Sequence, residues 1–208
     1  MASKTGRSYI ALSLVLCQLV IAVFFPRPAA AEALKKTNSL PDFDTFVQSI
    51  RDGDSKTLRG VYTTGLFAFP VIQQPAHDPS FVSTLPDTLT QFGMAQQYGN
   101  TGLLAHDFLA GSYFSQLSAG QEVQLVYGDG RTEYFTVTQI YRYQATDPTS
   151  VYSSFIDLNS GQKLSSTELF RKMYTGSSHV TFQTCIEANG NSSWGRLFVI
   201  AEPQASTP

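Results

Sequence analysis

Glu122-Val-Gln-Leu-Val-Tyr-Gly-Asp-Gly-Arg131 is an alternating apolar–polar run that meets a glycine-flanked turn. The alternation predicts a strand, and Gly128-Asp-Gly130 supplies the backbone freedom a tight hairpin needs. The chain should return as a long strand over 131–143, with Phe135, Val137, Tyr141 and Tyr143 on one face. This hairpin makes the body of the protein β.

Reading outward, residues 58–74 are strand-like and end at Pro70 or Pro75, and 75–86 form a long Pro-rich loop carrying His77 and Asp78. Leu103-Leu-Ala-His106 is a short apolar segment, and 151–158 is a further strand candidate. The spans 180–185 and 196–202 are the last two strands. Phe43, Phe46, Val47 and Ile50 recur at helical spacing before Asp52-Gly53, which predicts one short amphipathic helix packed on the body. Ser165-Ser-Thr-Glu168 has capping-box spacing and opens a second short helix to about Tyr174. Seven or so short strands with two minor helices predict a closed or nearly closed β-barrel, a two-sheet sandwich being the alternative. There is no internal repeat.

The N-terminus reads as a leader. Lys4 and Arg7 precede an apolar stretch over 9–25, and Pro26-Arg-Pro28 breaks it before Ala29-Ala-Ala31-Glu-Ala33. That order fits a secretory signal cut after Ala31 or Ala33. The apolar stretch rises about 25 Å as a helix, near the lower limit for a bilayer, so a retained membrane anchor is the alternative. Removal of residues 1–31 takes Lys4, Arg7 and Arg27, leaving eleven basic against sixteen acidic residues. No Lys/Arg cluster remains, which excludes a nucleic-acid footprint. Residues 32–57 are a connector with the short helix, 58–202 the barrel and 203–208 a tail.

Once Cys17 leaves with the leader, Cys185 is the only thiol, and it cannot form an intramolecular disulfide. A lone cysteine is most often a small buried hydrophobe. Here the pattern of its strand argues otherwise. Val180, Phe182 and Thr184 share one face and Thr181, Gln183 and Cys185 the other, so the thiol points away from the apolar core. A ten-residue polar loop over 186–195 should join two neighbouring antiparallel strands, with Cys185 and Arg196 at the same end of the sheet. A cation there would favour the thiolate. A nucleophilic cysteine also needs an acid or base, normally histidine. His179 lies about 20 Å along the same strand and His77 sits in the Pro-rich loop, which leaves His106 by elimination.

Three ordered pieces resemble the sortases, extracytoplasmic cysteine transpeptidases: Gly102-Leu-Leu-Ala-His106 with Phe108 to Gly111, Val180-Thr-Phe-Gln-Thr-Cys185, and Gly195-Arg-Leu-Phe-Val199. The stretch Gly120-Gln-Glu-Val-Gln-Leu-Val126 with its hairpin lies between the first two, as in that family. The family's cysteine motif is commonly Thr-Leu-x-Thr-Cys, and Thr181 to Cys185 matches it with Phe182 for Leu. The resemblance covers about 58–202. It implies a mainly β fold, a sortase-like closed barrel of about eight strands with one or two short helices and the site in a groove at one edge. Cys185 would be the nucleophile, His106 the proton donor and acceptor, and Arg196 the hydrogen-bond donor to the substrate carbonyl. The implied partners are a surface protein or pilin carrying a C-terminal LPxTG-like sorting signal, and an amine acceptor, either a cell-wall precursor or a protein lysine. The region between Asp157 and Ser178 should border the peptide groove. The implied location is extracytoplasmic, secreted or anchored at the cell surface.

No cofactor or metal is expected. Three dispersed histidines with one cysteine give no metal-ligand spacing, Gly128-Asp-Gly130 is no dinucleotide fingerprint, and no Gly-x-Ser-x-Gly elbow occurs. Two rival functions use the same residues: a cysteine hydrolase or protease with the same triad, and a catalytically inactive sortase-shaped module that binds peptides.

Overall fold

The computed structural model describes residues 40–205. The expected leader or anchor lies outside these residues, as does the end of the tail. No helix among the described residues is long and apolar enough to cross a membrane.

Ten strands form one sheet: β1 (Leu58–Thr63), β2 (Phe67–Gln73), β3 (Leu89–Phe92), β4 (Thr101–Leu104), β5 (Glu122–Tyr127), β6 (Thr132–Ala145), β7 (Phe155–Asp157), β8 (Lys163–Leu164), β9 (Val180–Ala188) and β10 (Asn191–Pro203). Eight of them close on themselves in the order β10-β9-β4-β3-β2-β1-β5-β6, with β6 pairing back onto β10, while β7 and β8 extend from β6 outside the ring. The pairs β2–β3 and β4–β9 are parallel and the others antiparallel. The expected eight-strand closed barrel is the observed fold.

Alternation fills the barrel. Val61, Phe67, Leu103, Phe114, Val123, Leu125, Phe182 and Val199 are all buried in one interior cluster. Burying side chains of this size contributes about 1.5–3 kcal/mol each before entropy is counted. A second cluster lies on the outer face of β6 and β10, where Tyr143, Phe198 and Ile200 pack against Leu169, Met173 and Tyr174 of helix α3 (Ser166–Tyr174). Two short helices precede it in the chain: α1 (Phe43–Ile50) and α2 (Gly93–Gln96). A 3₁₀ turn spans Ala110–Gln116.

Local signals explain the helices. Ser165 accepts from the Glu168 amide while the Glu168 carboxylate takes the Ser165 amide, the expected capping box. Asp42 caps α1 through the Thr45 amide at 2.8 Å, and Phe46 buries against Tyr62 and Val126. Helix α1 comes so close to β1 that a Cβ on Gly60 would lie 2.6 Å from Phe46.

Several expectations are corrected. Residues 58–74 are two strands around a tight turn at Gly65, whose φ is 73°. Strand β3, helix α2 and the 3₁₀ turn have no counterpart in the sequence reading, because the four residues each of β3 and α2 are too few to show a period and a 3₁₀ turn lacks the 3.6-residue one. Of 151–158 only Phe155–Asp157 is strand, and Val151 and Tyr152 sit exposed in the turn before it. The expected common face of Phe135, Val137, Tyr141 and Tyr143 is broken. The β6–β10 register passes from Val137↔Ala201 to Gln139↔Ile200, so Thr138 bulges out of the ladder. One extra residue inverts the parity. Phe135 and Val137 therefore face the barrel interior, while Tyr141 and Tyr143 face outward under α3.

Candidate active site

The expected ten-residue loop between Cys185 and Arg196 is instead a β-hairpin. Strand β9 runs on to Ala188, and Asn189 and Gly190 turn the chain with φ of 54° and 72°. Positive φ at both central residues is the tight hairpin geometry that Asn-Gly favours. The consequence for the site is direct. Cys185 and Arg196 are cross-strand partners in the β9–β10 ladder. Partners in a ladder share a face and hold their Cβ atoms about 4.5–5.5 Å apart.

Parity places both on the outside of the barrel. Val180 and Phe182 are fully buried in the interior, and Thr184, on the same side, donates its hydroxyl to the Ala105 carbonyl at 2.9 Å. Cys185 is half-buried.

His106 is brought towards the cysteine by the parallel β4–β9 pair. Leu103 lies opposite Phe182 and Leu104 opposite Gln183. The strand ends at Leu104, but the ladder continues as the Ala105 amide donates to the Gln183 carbonyl at 3.3 Å. His106 follows this last bonded residue, two positions beyond the Leu104–Gln183 pair. The His106 carbonyl accepts from the Leu109 and Gly111 amides at 3.0 and 2.9 Å, which fixes the backbone there. Phe108, 73% exposed, stacks on the imidazole with ring centres 5.2 Å apart. His179 caps α3 and Ser177 with its ring, 2.9 and 2.7 Å from the Met173 and Ser177 carbonyls, and His77 is exposed, so neither joins the site.

Two clefts flank Cys185. One, of about 150 Å³, is lined by Phe92, Phe155, Leu169, Phe170, Tyr174 and Phe198, with Gln183 and Arg196. It is an apolar groove between α3 and the outer face of the barrel, where the 157–178 region was expected to border substrate. The other, of about 320 Å³, opens on Cys185 itself and is lined by Asp107, Arg142, Glu187 and the serines of the 3₁₀ turn. Asp107, which the sequence left without a role, faces the thiol here. A larger cleft of about 630 Å³ around Tyr141, Lys172 and His179 contains none of the three expected site residues.

Burial pushes the Cys185 thiol above its ordinary pKa; the Arg196 guanidinium opposes this and the Asp107 carboxylate adds to it. The net direction is upward, so the cation alone does not make a thiolate at neutral pH in the free protein. The rate of Cys185 alkylation by iodoacetamide should therefore reach its half-maximum above the pH of an ordinary thiol. Arg196→Ala should move that midpoint further up and Asp107→Asn should move it down. Opposite shifts would contradict this charge assignment.

The Arg196 guanidinium donates from Nη1 to the Gly195 and Ser193 carbonyls at 2.8 and 3.3 Å. Its remaining donors are available at the apolar groove. The transverse row continues beyond it: Tyr143 pairs with Arg196, and Asp157 pairs with Tyr143. Burial works against charge on Asp157. Amides of Ser160 and Asn159, the Tyr143 hydroxyl and Lys172 outweigh it and hold its pKa below the usual carboxylate value.

By sequence the chain matches no family model and no curated protein. By structure it is similar to solved sortases. Sortase A of Listeria monocytogenes is 13% identical, with 74% of this chain and 89% of that one covered at a TM-score of 0.45. Sortase C-1 of Actinomyces oris is 13% identical over 80% and 83%, at 0.47. A Clostridium perfringens sortase C solved with the C-terminal cell wall sorting motif is 18% identical over 81% and 78%, at 0.44.

Proposed function

We propose that this chain is a sortase-type cysteine transpeptidase acting outside the cytoplasm, with Cys185, His106 and Arg196 as its catalytic residues. The observation that supports this reading is the cross-strand pairing of Cys185 with Arg196, a wall of the apolar groove, together with the pairing of β4, the strand before His106, to the strand that carries Cys185.

An extended peptide bearing an LPxTG-like sorting signal would lie with its apolar residues in the groove. The Cys185 thiolate attacks the threonine carbonyl carbon, forming a C–S bond as the Thr–Gly C–N bond breaks. His106 as imidazolium gives its proton to the leaving amine. An amine acceptor, from a cell-wall precursor or a protein lysine, then attacks the thioester. The new C–N bond forms, the C–S bond breaks, and His106 removes the acceptor's proton. Arg196 donates hydrogen bonds to the carbonyl oxygen as it becomes negative, a contribution of about 3 kcal/mol for such a donor. A leader over 1–31, cut or kept as an anchor, would deliver the enzyme to the surface where such substrates are displayed.

The test is intact-mass spectrometry after incubation with a library of sorting peptides. An adduct on Cys185 equal to the acyl half of one peptide is expected, and its mass reports the motif. Adding an amine should divert the adduct into an amide product. Release of free acid at the same rate with and without amine would make the protein a hydrolase. Peptide binding with no adduct would make it a binding module.

A further inference from the structure

His106 has two opposite tasks in the reaction above: it gives a proton to the leaving amine and takes one from the acceptor. A histidine in that role is normally oriented by a third group that bonds its far nitrogen. His179 shows what such a hold looks like, with its ring nitrogens 2.7 and 2.9 Å from two carbonyl oxygens, whereas among the described residues neither ring nitrogen of His106 has a hydrogen-bond partner. What the imidazole has instead is a second ring. Phe108 lies over it with planes 23° from parallel and centres 5.2 Å apart, an offset stack.

The stack is set by the backbone on which both rings stand. The Leu109 amide donates to the His106 carbonyl at 3.0 Å, closing a turn that carries Phe108 back towards the residue that opened it. The Gly111 amide donates to the same carbonyl at 2.9 Å. A Cβ on Gly111 would come within 2.6 Å of that oxygen, so glycine is what lets the turn close this tightly. Ala110 and Phe114 then sit in the barrel interior and pin the segment to the core. Phe108 itself is 73% exposed, and among the described residues the imidazole is its one ring partner. Core packing does not account for its place; the histidine does.

We propose that Phe108 is a positioning residue: its ring fixes the plane of the His106 imidazole and takes the place of a hydrogen-bonding third group. A stack differs from a hydrogen bond in a way that suits this chemistry. A bonded nitrogen is committed to one tautomer, whereas a stacked ring keeps both nitrogens open to protons. The proposal rests on the reading of His106 as the proton donor and acceptor. Asp107, next in the chain and facing the thiol, is the rival orienting group, and if it holds the ring then removing Phe108 changes nothing.

The experiment compares wild type, Phe108→Leu and Phe108→Tyr. Leucine keeps apolar bulk and removes the ring; tyrosine keeps the ring. At an exposed turn neither change should move thermal unfolding by more than about 2 °C. Phe108→Leu should slow acyl-enzyme formation about five- to tenfold, the scale of losing an aromatic pair. Peptide affinity should stay within about twofold, because Phe108 is not a wall of the apolar groove. Phe108→Tyr should keep both measurements within about threefold of wild type. A second readout needs no peptide. The chain has three histidines, so their ring protons are separable by NMR, with His106→Gln assigning the signals. Those of His106 should lie upfield of those of exposed His77, shielded by the ring above, and only Phe108→Leu should move them to the His77 positions. A Phe108→Leu rate within about twofold of wild type, a Phe108→Tyr variant as slow as Phe108→Leu, an affinity loss that matches the rate loss, or wild-type signals already at the His77 positions each overturns the proposal. Where the wild type forms no adduct the transpeptidase reading fails, and the ring-proton shifts still decide whether Phe108 holds the imidazole.

Discussion

Alanine at position 185 should abolish covalent capture of a sorting peptide, lowering amide product by about four to six orders of magnitude, the scale of losing a nucleophile. Binding of the same peptide should change by no more than about twofold. The separation follows from the geometry. The apolar groove is built from Phe92, Phe155, Phe170, Tyr174 and Phe198, and the Cys185 side chain is not among its walls. Binding and chemistry therefore depend on different atoms. Rate of product formation and fluorescence titration of labelled peptide measure the two. Arg196→Ala should cost about a hundredfold in rate, and because the guanidinium lines the groove it should also weaken binding. Turnover by Cys185→Ala within tenfold of wild type would remove the nucleophile from the mechanism.

Phe182→Ala should be the most damaging single change to the fold, at about 3–5 kcal/mol for loss of a large core aromatic. The ring is fully buried, 5.1 Å from Phe114 and 6.4 Å from Phe67 between ring centres. Its backbone is the central member of the β4–β9–β10 trio, paired with Leu103 on one side and Val199 on the other. A barrel of closed strands cannot collapse around such a hole without shifting its register, so little of the cavity will be recovered. Thermal unfolding should fall by roughly 10 °C, given ~2–4 °C per kcal/mol at this chain length. Tyr152→Ala, at an 86% exposed turn, serves as the control and should stay within about 0.5 kcal/mol of wild type. A fall of a degree or two for Phe182→Ala would mean that the interior is not packed around that ring.

The strands that were legible were those long enough to alternate. Residues 122–127 and the turn after them carry a period and a turn signal that no tertiary contact overrides, and they stand as read. The capping box at Ser165 and the apolar stripe of α1 are likewise local chemistry, and both helices form where it predicts. Strand β6 shows the limit. Its alternation reads straight through Thr138, yet the bulge opposite β10 divides it into an inward and an outward half. A bulge is chosen by how the partner strand must bend to close the ring, and that is not written in the fourteen residues of β6 themselves.

The cysteine site divides in the same way. The outward turn of Cys185 follows from the parity of its own strand, and the nearness of Arg196 from chain connectivity, so both could be argued from sequence. The Asn189-Gly190 turn lies inside the stretch expected as a loop, and Asn-Gly is itself a hairpin signal. Ladder pairing tightened the relation of Cys185 and Arg196 from the same end of a sheet to the same rung.

What the sequence determined by itself was therefore local: which segments alternate, where helices are capped, and which way the thiol faces within its strand. Everything that joins distant segments was decided by barrel closure. Strand β4 is set parallel to β9, which leads His106 towards Cys185 across seventy-nine residues of chain, and Asp107 is brought to face the thiol. The same closure lines up Arg196, Tyr143 and Asp157 along one rung and brings Lys172 of α3 to the Tyr143 hydroxyl. The physical reason is that strand order depends on which arrangement buries all the apolar faces together, a property of the whole chain that no single segment encodes.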